Sequence, residues 1–77
     1  MDYEGWFEKA LTTISTLSSG DTFEAKDLFK GTEWDLLTNG EKRSFGRYFS
    51  SKVNDGVIGD VSRKGEGKTH HNKYVKR

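Results

Sequence analysis

The sequence lacks cysteine, long apolar runs and a signal pattern at its start, and each absence excludes a class of protein. Without cysteine the chain forms neither disulfides nor thiolate metal sites. No apolar run approaches the roughly 20 residues that a helix needs to cross a bilayer, and no secretory leader opens the chain. We therefore expect a soluble, cytoplasmic protein that makes no membrane contact.

Aliphatic side chains are few, and aromatic side chains take their place. Phe, Tyr and Trp make up 13% of the 77 residues, and each of these side chains buries a large apolar area. A chain of this length builds one compact core rather than two. We therefore expect a single domain over residues 1–77 with an aromatic core.

Charge is distributed unevenly along the chain. Residues 1–39 carry eight acidic and three basic side chains, a net charge of −5, whereas residues 40–77 carry four acidic and ten basic ones, a net charge of +6. A split of this size is typical of a polyanion-binding surface backed by an acidic scaffold. The alternative is a chance consequence of helix and tail composition.

Apolar periodicity predicts a helix in the first quarter of the chain. Over residues 3–17 apolar side chains recur at the i, i+3, i+4, i+7 spacing of an amphipathic helix. Asp2 is suited to cap its start and Gly20 to end it. A short strand over residues 22–25 and one tight helical turn over residues 26–29 are predicted to follow.

Two further helices are predicted close together. Thr32 fits the N-cap of a short helix. That helix is predicted to hold Trp34, Leu36 and Leu37. Thr38 and Glu41 have the spacing of a capping box, which predicts a third helix that runs to Asn54 before Gly56 stops it. Two helices separated by so short a junction are typical of a helix-turn-helix.

The last segment is typical of a β-hairpin. Residues 57–61 favour one strand and residues 74–75 the returning strand, with a glycine-rich, charged tip over residues 64–68. The order of elements predicts an α+β fold, a winged helix-turn-helix with three helices, a short strand and a C-terminal β-hairpin wing.

The third predicted helix carries two different stripes. Three apolar residues at four-residue spacing are predicted to face the core: Phe45, Phe49 and Val53. A displaced polar stripe holds Arg43, Arg47, Ser50 and Asn54. The last helix of a helix-turn-helix is the one presented to DNA, and Arg suits phosphate oxygens and guanine edges. The polar stripe therefore predicts nucleic-acid binding, and the alternative is an ordinary solvated helix face.

The predicted hairpin extends this basic surface toward a phosphate backbone, although exposed lysines on a hairpin also discourage aggregation. Tyr48 is a candidate to stack on an unpaired base, or alternatively a packing residue at the core boundary. The predicted nucleic-acid interface contains Lys42, Arg43, Arg47, Tyr48, Ser50, Lys52, Arg63, Lys64, Lys68, His70 and Lys73.

Two short motifs are coincidental matches to catalytic or metal-binding patterns. Gly67-Lys68-Thr69 resembles the end of a phosphate-binding loop, but Ser62 stands where that loop needs glycine. Neighbouring His70 and His71 would point to opposite faces of a strand. No acid–base pair or nucleophile–base set can be assembled either, so we expect no enzymatic activity, no metal and no cofactor.

Several ordered motifs resemble a known family. They are residues 22–29, Glu33-Trp34, residues 43–49, Gly56, Gly67-Lys68 and Asn72-Lys73-Tyr74. Over about residues 20–76 the chain resembles a small winged-helix family of Gram-positive bacteria, their phages and mobile elements, long catalogued as a domain of unknown function. The resemblance implies single-stranded DNA binding, a role in replication or mobility of the element, and replication proteins as partners. It also implies a hydrophobic pocket near Trp34, Phe45 and Phe49.

Three functions are consistent with the residues. The first is single-stranded DNA binding with little sequence preference. The second is a double-stranded DNA-binding transcriptional regulator, in which Arg43, Arg47 and Ser50 enter the major groove. The third is a protein-binding phage factor that acts through the acidic N-terminal half. Charge reversal at Arg43 and Arg47 would leave only the third activity intact.

Overall fold

The computed structural model describes residues 2–66 and 72–77, and within them three α-helices pack against a three-stranded antiparallel sheet. The elements are α1 (Tyr3–Ser15), β1 (Thr22–Phe23), a 3₁₀ helix (Ala25–Leu28), α2 (Gly31–Asp35), α3 (Asn39–Asn54), β2 (Val61–Glu66) and β3 (Asn72–Lys76). The strand order is β1-β3-β2, so the last strand lies between the other two. The predicted α+β class is confirmed.

α1 begins where the sequence predicted and ends earlier. The Asp2 carboxylate accepts a hydrogen bond from the Gly5 amide at 3.1 Å, as a helix cap does. The helix stops at Ser15, with Thr16 as its C-cap. The Thr16 hydroxyl donates to the Thr13 carbonyl at 2.6 Å, and such bonds compete with a regular helix. The prediction that Gly20 ends α1 is wrong: Gly20, at φ 94°, lies in the turn that leads into β1.

α2 begins two residues earlier than expected and ends before Leu36. It begins at Gly31 with Lys30 as its N-cap, so the prediction of Thr32 as N-cap is wrong. The Trp34 amide donates to the Lys30 carbonyl at 3.0 Å, which closes the first turn. The chain leaves α2 before Leu36, whose side chain is 86% exposed. Since α3 needs its own cap at Thr38, no room remains for a further turn of α2.

α3 agrees with the sequence at both ends. The Thr38 hydroxyl accepts from the Glu41 amide at 3.1 Å, and the Glu41 carboxylate accepts from the Thr38 amide at 2.9 Å. The hydrogen bond from the Thr38 amide to the Glu41 carboxylate lowers the pKa of the Glu41 carboxyl below its usual value. Gly56 follows the helix with φ 75°, a backbone conformation that favours glycine. The predicted capping box and helix end are both confirmed.

The strands differ from expectation at their edges. β1 covers only the first two of the four predicted positions, because Ala25 already begins the 3₁₀ helix. β2 starts at Val61, so the prediction that the strand includes Val57 and Ile58 is wrong. Ile58 is nevertheless buried, at 4% exposure, whereas Val57 is 57% exposed. The side chain of Ile58 packs into the core from a turn, not from a strand.

The core is formed between α1, α3 and the inner face of the sheet. Phe45 and Phe49 are completely buried, and the third predicted core residue of α3, Val53, is 9% exposed. The Phe49 ring meets the Tyr74 ring of the central strand edge-on, with 5.0 Å between centroids. The aromatic core and the apolar stripe of α3 are therefore confirmed.

Candidate functional site

An open groove of about 1050 Å³ runs along the side of α3 that the core does not use. We call it the α3 groove. Its lining residues are Glu24, Ala25, Lys26, Trp34, Asp35, Asn39, Lys42, Arg43, Gly46, Arg47, Ser50, Ser51 and Tyr74. They come from four separate parts of the chain, and the groove has space for a nucleotide-sized group.

One wall of the groove is α3 itself. Arg43 and Arg47 are four residues apart, which places them on one helix face, and both are exposed. Lys42 and Ser50 line the same wall and are partly buried. Gly46 lies between the two arginines in the sequence and has no side chain. The space beside it is open, because a Cβ built there would meet nothing within 4 Å. This wall therefore presents cations around a gap in the helix surface.

A second wall of the groove, from α2, contains an aromatic ring that two neighbouring rings contact. Trp34 of α2 is partly buried, and its indole stacks on Phe29 with 5.7 Å between centroids and 10° between planes. The ring of Phe45 meets the same indole edge-on at 6.3 Å. Since two neighbours hold the indole in place, it forms a rigid surface at the edge of the groove.

Both signs of charge line the groove. Lys26, Lys42, Arg43 and Arg47 supply four positive charges, and two carboxylates accompany them. Glu24 and Asp35 supply those carboxylates, from the N-cap of the 3₁₀ helix and from α2. The groove therefore has a cationic α3 wall and a mixed wall of aromatic, acidic and basic groups.

Tyr48 and Lys52 do not join the groove. The Tyr48 ring stacks on Tyr3 of α1, with 5.3 Å between centroids, and meets Phe7 edge-on at 5.8 Å. The Lys52 ammonium lies 5.3 Å from the centre of the Tyr48 ring. Packing therefore separates Tyr48 and Lys52 from the α3 groove, and their participation in a nucleic-acid interface stays a prediction. At 3.6 residues per turn they lie on the other side of the apolar stripe, toward α1.

The hairpin residues are described in part. Arg63, Lys64 and Lys73 are exposed. Arg63 lies opposite Tyr74 in the register of β2 and β3, on the sheet face that also carries the buried Val61. Lys68 and His70 lie outside the described residues. Participation of the hairpin in a nucleic-acid interface stays a prediction.

The hydrophobic pocket implied by the family resemblance is divided between surface and core. Trp34 lines the α3 groove, but Phe45 and Phe49 are completely buried and do not line it. Phe45 and Phe49 belong to the core, and a hydrophobic binding pocket near them stays a prediction. Phe45 supports the groove indirectly, through its contact with the Trp34 ring.

Sequence reasoning missed much of the second wall. In the sequence, Glu24, Lys26 and Asp35 contribute to the net charge of residues 1–39, and nothing in it predicts that they lie near the arginines of α3. No spacing in the sequence connects them to α3, since packing of the 3₁₀ helix and α2 brings them there.

Among the described residues, no group of three His, Asp or Glu side chains is placed to hold a metal ion. None of the described helices is long and apolar enough to cross a membrane.

Comparison with known proteins identifies a family without a described activity. No curated protein and no solved structure matches the chain. A family model described as "Domain of unknown function (DUF1413)" matches residues 8–76, which is almost all of the sequence and includes every residue of the α3 groove. The chain therefore belongs to the DUF1413 family.

Proposed function

We propose that this protein is a winged-helix domain that binds single-stranded DNA through the α3 groove. The order of elements supports the assignment, because a helix, a short strand, two closely spaced helices and an antiparallel hairpin follow one another. In this arrangement α3 is the presented helix and the β2–β3 hairpin is the wing. The family resemblance extends the proposal to replication or mobility of a phage or mobile element in the cytoplasm, with replication proteins as partners.

The observation that carries the proposal is the pairing of cations and a rigid aromatic ring across one groove. Arg43 and Arg47 lie on the α3 wall, and Trp34 lies on the other wall. Single-strand binding surfaces combine positive charge that follows the phosphates with aromatic rings on which bases stack. A duplex keeps its bases stacked on each other, so its bases are not available to Trp34.

Binding of this kind depends strongly on salt. Each neutralised phosphate contributes about −0.7 to the slope of log affinity against log salt for a single strand. Base stacking on an aromatic side chain contributes about 1–3 kcal/mol for each base and tolerates every sequence. We therefore expect modest sequence preference and a measurable salt slope.

Fluorescence anisotropy of a labelled oligonucleotide tests the proposal. The oligonucleotide is measured as a single strand and after annealing to its complement, at two salt concentrations. Arg47→Ala is expected to weaken single-strand binding and make the salt slope less steep. Lys30→Ala removes the same charge from an exposed position outside the groove and is expected to change neither.

Duplex binding is the second candidate, because Arg43, Arg47 and Asn54 form an exposed stripe along the 16-residue helix α3. Tighter binding to the annealed oligonucleotide would favour that candidate over single-strand binding. Absence of binding to either form at low salt would refute both and direct attention to protein partners of the acidic N-terminal half.

A further inference from the structure

One carboxylate oxygen in the wall of the α3 groove has no hydrogen-bond donor. Among the described residues with buried side-chain polar atoms, Glu24 is the one whose oxygen, Oε1, lacks a partner. Glu24 is the N-cap of the 3₁₀ helix, and the Asp27 carboxylate accepts from its amide at 2.9 Å. Its backbone is thus fixed while Oε1 is unsatisfied. An unpaired buried polar oxygen costs about 1–3 kcal/mol, and more when charged, so a donor supplied there is favourable.

The surroundings of this oxygen restrict what can supply the donor. Glu24 and Trp34 line the same groove, and Phe29 covers one face of the indole. The terminal torsion of a Glu side chain is broad and soft, so a small rotation turns the carboxylate toward a group in the groove. A flat ring with polar hydrogens on its edge satisfies both residues, by stacking on the indole and donating to the carboxylate.

We propose that Trp34 and Glu24 form a pocket for one unpaired base, with a preference for guanine; this inference rests on the proposed single-strand binding. A carboxylate accepts hydrogen bonds and donates none. Guanine presents two neighbouring donors on its pairing edge, N1–H and the N2 amino group. Adenine and cytosine present one amino group, and thymine presents one N–H between two carbonyls that repel a carboxylate. Guanine therefore fits best and thymine worst.

The rest of the groove favours one orientation of a bound nucleotide. Arg43 and Arg47 come from α3, and both carboxylates of the groove come from outside α3. A nucleotide placed across the groove has its phosphate at the arginines and its base at Trp34 and Glu24. The carboxylates near the base repel phosphate, which disfavours the reversed placement.

The test compares short oligonucleotides that differ in a single base. Oligothymidylate of about nine nucleotides, within the range of known single-strand sites, carries thymine, guanine or hypoxanthine at its centre. Hypoxanthine keeps the N1–H of guanine and lacks the amino group. By anisotropy, guanine is expected to bind about tenfold more tightly than thymine, the size of discrimination that one good base contact gives. Hypoxanthine is expected between them.

The variant Glu24→Gln identifies the group responsible. It removes the negative charge of the side chain and keeps its shape, so the preference for guanine over thymine is expected to fall below about twofold. Oligothymidylate is expected to bind this variant at least as tightly as it binds the unaltered protein. Glu8→Gln, the same change at an exposed position of α1, is expected to keep the full preference. Thermal unfolding of each variant checks that the fold is intact.

Each outcome separates this inference from the function on which it rests. Binding of all three oligonucleotides with equal affinity overturns the base pocket and leaves single-strand binding standing. Binding of none of them overturns both. A guanine preference that persists in folded Glu24→Gln overturns the role of Glu24. The base series uses the unaltered protein, so it decides the matter even if the variant does not fold.

Discussion

The two flanks of α3 carry similar residues and have different surroundings. On one flank Arg43 and Arg47 are exposed beside an open groove. On the other flank Tyr48 packs against Tyr3 and Phe7 of α1, and Lys52 lies over the Tyr48 ring. Both flanks combine cations with aromatic side chains, which is the composition of a nucleic-acid surface. The α3 groove lies on the flank that carries Arg43 and Arg47, so composition by itself does not identify a site.

The largest expected effect is loss of DNA binding after charge reversal on the open flank. In Arg43→Glu/Arg47→Glu two charge-assisted contacts are lost, each contributing about 1.5–3 kcal/mol. Affinity for single-stranded DNA is therefore expected to fall about a hundredfold or more, with little change in thermal stability because both side chains are exposed. Anisotropy and a melting curve measure the two effects.

Lys9→Glu/Lys30→Glu is the matched control, since it makes the same change in net charge outside the α3 groove. Its affinity is expected to stay far closer to that of the unaltered protein. Equal losses in the two double variants would mean that net charge, and not the groove, governs binding. Intact activity after reversal at the arginines would instead support a protein-binding function of the acidic half.

The packed flank is expected to respond in the opposite way. Tyr48→Ala removes ring contacts with Tyr3, Phe7 and Phe45. Because Tyr48 is only partly buried, we expect a loss of about 2 kcal/mol in the free energy of unfolding, below the range for a fully buried aromatic residue. DNA affinity of the folded variant is expected to stay within about twofold, since this flank lies outside the groove.

Chemical denaturation and anisotropy together test this prediction. Ser44→Ala, at an exposed position of α3, serves as the control and is expected to change neither quantity appreciably. A stable Tyr48→Ala variant that binds single-stranded DNA much more weakly would show that Tyr48 contacts the nucleic acid after all.

The smallest expected effect concerns the glycine within the open flank. Gly46 lies inside α3, and an added Cβ there would meet nothing within 4 Å. Gly46→Ala is therefore expected to increase the free energy of unfolding by about 0.5–1 kcal/mol, the usual helix preference of alanine over glycine. Gly56→Ala is expected to decrease it, because φ at Gly56 is 75°.

Denaturant unfolding of the two alanine variants gives the sign of each change. Gly46→Leu extends the comparison, because a large side chain in the gap between Arg43 and Arg47 is expected to weaken DNA binding in a folded protein. If Gly46→Leu binds DNA like the unaltered protein, the ligand does not lie against this part of α3.

Local features were predicted best from the sequence. The capping box of Thr38 and Glu41 and the stop at Gly56 depend on residues within a few positions of each other. Elements whose ends depend on distant contacts were predicted less well. α2 begins at Gly31, and its Trp34 ring packs on Phe29 and Phe45. β2 begins at Val61, the first residue that pairs with β3, opposite Lys76.

The candidate site was predicted in part for the same reason. The arginines of α3 follow from helical spacing, since residues four apart share a face. The spacing did not reveal that α1 covers Tyr48 and leaves Arg47 exposed. It also gave no sign that Glu24 lines the same groove as Arg43, because 19 positions of sequence separate them.

The sequence by itself determined the presence of three helices, the N-caps Asp2 and Thr38, the aromatic core and the basic character of the second half, because short-range geometry and side-chain chemistry decide these features. Only the tertiary structure decided which flank of α3 is open and which groups stand opposite its arginines. Those features depend on where α1, α2 and the 3₁₀ helix pack. Packing is determined by shape and burial over the whole core, and not by the spacing of residues along the chain.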